Sequence, residues 1–149
     1  MLLKYVKRTT VFYLAVVFLL VCDRFLKSLA SSGFSVDLLG NFFKFSFVKN
    51  YYIAFSLPLS GLFLNCLIVL IIICLIYYFI FLAKKPAWFE AGFVLMIVFG
   101  AASNLFDRVK LGYVVDYLSL QYFTIFNLAD VIIFSGVVGL LWLEMKKKI

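Results

Sequence analysis

The sequence predicts an all-α membrane protein with four transmembrane helices, a small β-rich element on the outer side and both termini in the cytoplasm. Three observations carry this. Of the 149 residues 66% are apolar and only 14% charged, with a mean hydropathy of +1.15, more apolar surface than a soluble domain can hide. The apolar residues fall into four runs of about 20, the length that crosses a hydrocarbon core of roughly 30 Å. Lysine and arginine collect at alternate ends of those runs, as the positive-inside rule requires.

The chain reads as a single integral membrane domain, residues 1–149, with spans at about 9–28, 61–83, 88–106 and 126–145 and outer segments at about 29–60 and 107–125. Lys4, Lys7 and Arg8 precede the first span, Lys84 and Lys85 fill the turn between the second and third, and Lys146, Lys147 and Lys148 end the chain. The basic start followed by an apolar run is shaped like a secretory leader. Val21 is too bulky before Cys22 for a lipid-modification site, so the first segment is expected to be retained as an anchor. Pro86 is expected at the first position of the third helix, where its missing N–H costs nothing, with Trp88 and Trp142 at the inner interface. Cys22, Cys66 and Cys74 sit in apolar runs and read as packing residues.

In the first outer segment Phe43, Phe45 and Phe47 recur at a period of two, which predicts a strand with one apolar face lying on the outer leaflet. Tyr51, Tyr52, Tyr113, Tyr117 and Tyr122 suit the headgroup region there. With no histidine, Ser-His-Asp and Cys-His catalysis are excluded, and no cofactor or metal is expected. The basic residues flank spans and form no stripe, so nucleic acid is not an expected partner.

Almost every residue capable of directed chemistry lies on the outer side. Asp23 and Lys27, at i, i+4, share a helix face, either as a structural pair near the interface or as part of a working site. Asn104, Asp107 and Arg108 face one way if the third helix continues, preceded by the small residues Gly100, Ala101, Ala102 and Ser103 that let a neighbour approach. Asn127 and Asp130 share a face at the start of the fourth span, and Asp130 is either a carboxylate favoured by the helix dipole or a working group in a wet cleft. Asp116, on a short loop, can return against Asp130. Two carboxylates forced together share one proton, so that one member can take a proton from water while the other hydrogen-bonds a scissile carbonyl.

Asp23-Arg24-Phe25-Leu26-Lys27, Asn50 followed by Ala54-Phe55-Ser56, Asn104 through Asp107-Arg108, Val114-Val115-Asp116-Tyr117 and Phe126-Asn127-Leu128-Ala129-Asp130 resemble, in order, the motifs of the lipoprotein signal peptidases. The resemblance covers essentially the whole chain. It implies an aspartic endopeptidase of the bacterial inner membrane, with its site toward the periplasm; a monomer is the expected state. Its substrates would be diacylated prolipoproteins held in the membrane lipid, cut just before the lipidated cysteine. Asp116 and Asp130 would be the catalytic pair. Asn127, Asn104, Arg108 and Asn50 would hold the substrate backbone and Asp23 would brace the site, with Asp107, Lys27 and Ala129 in support. Where the family usually has glycine after the position of Asn50 and before that of Asn104, this chain has Tyr51-Tyr52-Ile53 and Ser103, which add bulk near the cleft.

Two rivals stand beside this. Lys27-Ser28 resembles the Ser-Lys pair of type I signal peptidases, but adjacent helical residues point about 100° apart. A proton-coupled transporter would relay through Asp23, Asp116 and Asp130, yet spans two to four have apolar middles.

Overall fold

The computed structural model describes residues 2–52 and 61–147, with side chains from residue 10 onward. Four helices, α1 (Leu2–Ser31), α2 (Gly61–Ala83), α3 (Trp88–Leu111) and α4 (Leu128–Lys147), are joined at one end by strands β1 (Val36–Leu39), β2 (Phe43–Asn50), β3 (Val114–Leu120) and β4 (Thr124–Phe126). Among the described residues α2, α3 and α4 are long and apolar enough to cross a membrane. The turn Lys84–Ala87 leaves Pro86 outside the helix, because α3 begins only at Trp88. Proline therefore breaks the chain after α2 and does not start α3.

The helix α3 runs past the expected end near Phe106 to Leu111, where Gly112 adopts φ 82° and donates its N–H to the Arg108 carbonyl. Only glycine takes this left-handed cap without cost. The extra turn puts Asp107 and Arg108 on a helix. The helices α3 and α4 pack closely through small residues, for a Cβ at Gly100 would lie 2.7 Å from the Ala129 carbonyl oxygen and one at Gly136 2.8 Å from that of Phe93. Substituting either glycine pushes the helices apart.

The four strands form an antiparallel sheet in sequence order. The predicted strand is β2, in which Phe45 is buried and Phe43 and Phe47 half-buried. Val114–Leu120, expected as a short loop, is instead a strand. The segment Val114–Tyr117 is buried on both faces and shows no alternation to betray it. Val115, Tyr117 and Phe45 close over Ala30 of α1 in one apolar cluster, which seats the sheet on the helix ends. Tyr117 is therefore a core residue at 0% exposure, not a headgroup tyrosine. Tyr51, Tyr52 and Tyr122 are exposed, as expected of that set.

The register of β2 against β3 slips partway along. Phe45 pairs with Leu118, but Val48 pairs with Asp116 and Asn50 with Val114, so β2 carries one extra residue in a bulge. Without it Lys49 would stand opposite Val114. The bulge brings Asn50 to the Asp116 face. Cys66 and Cys74 are exposed on α2 and point away from the protein's own core, so they are not packing residues within the chain.

Candidate active site

Carboxylate and amide side chains meet where β3 converges with the C-terminal ends of α1 and α3 and the N-terminal end of α4. The start of α4 builds much of this cluster. Asn127 caps the helix: its Oδ1 accepts the Asp130 N–H at 3.0 Å, while Asp130 Oδ2 accepts the Asn127 N–H at 3.2 Å. This reciprocal capping box fixes both side chains. With its carbonyl committed, the Asn127 amide nitrogen points outward and donates to Asp116 Oδ1 at 2.6 Å and to Asn104 Oδ1 at 3.2 Å.

Asn104, on α3, donates to Asp130 Oδ1 at 2.8 Å. Asn50, brought round by the bulge, donates to Asp116 Oδ2 at 2.8 Å, and its own Oδ1 accepts the Tyr52 N–H at 3.0 Å. Asp116 and Asp130 are thus bridged through Asn127, and every hydrogen bond they receive comes from an amide. Asp116 is 1% exposed, whereas Asp130 is partly open. Burial, reinforced by the negative charge of Asp130, pushes the Asp116 carboxyl up to about 6; the Asn50 and Asn127 hydrogen bonds and the charge of Lys27 oppose the rise.

Asp23 and Asp107 occupy a second cluster immediately beneath. Asp23 accepts from Ser103 Oγ at 2.7 Å, Tyr117 Oη at 3.2 Å and the Ala129 N–H at 3.1 Å. Asp107 pairs with Arg24 at 2.6 Å and Lys27 at 2.7 Å, and Lys27 lies 3.4 Å from Asp23, as the i, i+4 spacing predicts. The Tyr117 hydroxyl accepts the Leu128 N–H at 3.0 Å. Burial and the charge of Asp23 raise its pKa, so it stays protonated and a donor. Side chains from α1 and β3 thus satisfy the first N–H groups of α4, groups that a helix leaves unpaired.

Asp116, Asp130, Asn127, Asn104 and Asn50 therefore share one network, and Asp23, Lys27 and Asp107 share the supporting one. Ala129 joins through its backbone N–H. Arg108 sits at the edge, donating to the Tyr52 carbonyl at 3.0 Å and the Asn104 carbonyl at 3.4 Å, and its buried Nε has no partner among the described residues. Ala54-Phe55-Ser56, and Ile53 of the departing segment, lie outside the described residues. Ser28 is exposed while Lys27 is 2% exposed and engaged elsewhere, so the Ser-Lys arrangement is not formed.

Sequence reasoning named Ser103, Arg24 and Tyr117 but gave none of them a role in the site. Ser103 adds a hydrogen bond to Asp23 where bulk was expected, and its spacing of four from Asp107 on α3 was the available signal. Tyr117 follows Asp116 on a strand and so points to the opposite face, toward α1.

These features define a multi-pass membrane protein whose polar groups gather at one end of an apolar helix bundle. Comparison with known proteins makes the assignment specific. The family model described as Signal peptidase (SPase) II matches residues 15–146. The lipoprotein signal peptidase of Clostridium novyi is 34% identical over 137 residues, 85% of this chain and 92% of that protein. That of Caldicellulosiruptor bescii is 35% identical over 140 residues, 92% of each. A bacterial membrane enzyme solved at 2.3 Å shares the fold, with a TM-score of 0.77 at 23% identity over 97% of this chain and 91% of that one. The chain belongs to the signal peptidase II family, the lipoprotein signal peptidases.

Proposed function

We propose that this chain is an aspartic endopeptidase of the bacterial inner membrane that removes signal peptides from diacylglyceryl-modified prolipoproteins, cutting immediately before the lipidated cysteine. It spans the membrane four times as one domain, residues 1–149, with α1 as the fourth span beside α2, α3 and α4. Both termini are cytoplasmic and the site faces the periplasm. The observation that carries the reading is the link of Asp116 and Asp130 to one asparagine, Asn127, in a setting that, among the described residues, supplies amide donors and no direct cation. Such a pair can hold one proton between two carboxyls.

In the reaction the ionised member takes a proton from water, and the hydroxyl forms a bond to the scissile carbonyl carbon. The protonated member hydrogen-bonds the carbonyl oxygen. The tetrahedral adduct then collapses as the carbon–nitrogen bond breaks, and a proton passes to the leaving amine. Arg108 at the rim ties the Asn104 and Tyr52 carbonyls together and so fixes the edge along which a substrate backbone would lie. A diacylated cysteine anchored at the outer leaflet holds its peptide bond at one depth, so the lipid supplies recognition that soluble proteases obtain from side-chain pockets.

The test is incubation of the purified protein in detergent with a lipidated and an unlipidated precursor. Cleavage of the lipidated form alone is expected. Equal cleavage of both contradicts the substrate assignment, and no cleavage of either contradicts the activity.

A further inference from the structure

An asparagine amide has a donor end and an acceptor end, and whichever group holds its oxygen decides which end faces a neighbouring carboxyl. Asn50 is held by the Tyr52 N–H and Asn127 by the Asp130 N–H, both backbone groups that no side-chain substitution removes. Asn104 is different. Its Oδ1 accepts from the Lys27 ammonium at 2.8 Å and from Asn127 Nδ2 at 3.2 Å. Lys27 is 2% exposed, and its remaining polar neighbours are Asp107 at 2.7 Å and Asp23 at 3.4 Å. An ammonium only donates, so the amide cannot turn without setting its NH2 against the Lys27 NH3+. We propose that Lys27 is a positioning residue for the acid pair: it locks Asn104 with its NH2 toward Asp130 and keeps a positive charge one amide away from the two carboxyls. The proposal rests on the reading of Asp116 and Asp130 as the catalytic pair.

Loss of the lock has two separable effects. Asn104 Oδ1 is then held only by the 3.2 Å hydrogen bond from Asn127 Nδ2, and an amide that turns away from it presents its carbonyl to Asp130, which repels the ionised carboxylate and accepts a hydrogen bond from the protonated one. Loss of the charge acts on the pair's titration. The groups facing Asp116 are Asp130 from α4, Lys27 with Asp23 behind it from α1, Arg108 with Asp107 behind it from α3, and the neutral Asn50 amide from β2. Lys27 favours the ionised form of Asp116, so its removal displaces the pH–rate profile to higher pH.

The alternative is that Lys27 only neutralises Asp23 and Asp107. Lys27→Met alone leaves those buried carboxylates with Arg24 as their one cation and can fail to fold, so the informative variant is Lys27→Met with Asp107→Asn, which removes one charge of each sign. A melting temperature near wild type and a KM within about twofold are expected, with kcat lower by roughly 10- to 100-fold, the scale on which misplaced catalytic groups register, and a profile moved to higher pH. Recovery of wild-type kcat and profile in this variant overturns the proposal. Lys27→Gln in the same background returns an N–H donor without the charge. It should regain most of kcat while the profile stays displaced, and a glutamine no better than methionine overturns the lock. Asp116→Asn assayed in parallel separates the two readings: if it turns over, the dyad fails, whatever the Lys27 variants do.

Discussion

Two pairs of aspartates lie side by side in this protein, three of the four side chains buried and Asp130 partly open, and the pairs differ most in the chemistry of their partners. Asp23 and Asp107 are 0% exposed and meet Lys27, Arg24, a serine and a tyrosine hydroxyl, and backbone N–H groups. Asp116 is 1% exposed, yet among the described residues it and Asp130 accept hydrogen bonds only from amides. In the first pair two cations balance two carboxylates, and the cluster ties α1 to α3 and to the start of α4. In the second no cation among the described residues touches a carboxyl, and ionisation of Asp130 opposes ionisation of Asp116. On the proposed function, burial alone therefore does not make an aspartate reactive; the lack of a directly paired charge does.

The largest expected effect separates the pairs by function. Asp116→Asn and Asp130→Asn should each lower kcat by ~10³-fold or more while the melting temperature stays close to wild type, as read by precursor cleavage and thermal unfolding in detergent. Asp107→Ala should do the reverse in kind, leaving Lys27 short of its nearest carboxylate and costing about 3–5 kcal/mol of stability, seen as a large fall in melting temperature. A wild-type melting temperature for Asp107→Ala would erase the distinction.

A smaller effect concerns pH. A raised Asp116 carboxyl means that the folded protein binds more protons than the unfolded chain between the ordinary value of 3.8 and about 6. Its contribution to stability is fully present below that ordinary value and is lost as pH rises through about 6. Melting temperatures measured from pH 4 to 8 should fall across this window for wild type and vary less for Asp116→Asn. The smallest effect belongs to Tyr117→Phe, which strips one hydroxyl from the supporting cluster, leaves the Leu128 N–H unpaired and costs about 1–2 kcal/mol. A kcat loss beyond the corresponding change in folded fraction would place Tyr117 in the reaction itself.

Much of this was legible in the chain. The apolar runs marked α2, α3 and α4 because about 20 apolar residues in series admit few other fates, and the phenylalanine alternation marked β2. The strand β3 was hidden because Val114–Tyr117 is buried on both faces, and the end of α3 was misjudged because apolarity ends near Phe106 while the helix runs on to its glycine cap. The aspartates and asparagines of the site could be nominated from spacing and motif. Their wiring could not, since Lys27 to Asn104 spans 77 positions and Asn50 reaches Asp116 only through a bulge that leaves no mark in local propensity.

Because the central idea is that two carboxyls act as one unit, the most direct measurement compares kcat for Asp116→Asn, Asp130→Asn and the double variant on a diacylated precursor. Three equally low rates are predicted, since a shared proton is lost entirely when either member goes. Residual turnover in one single variant, or a double variant whose loss is the product of the two, would show that the carboxyls work independently and contradict the account.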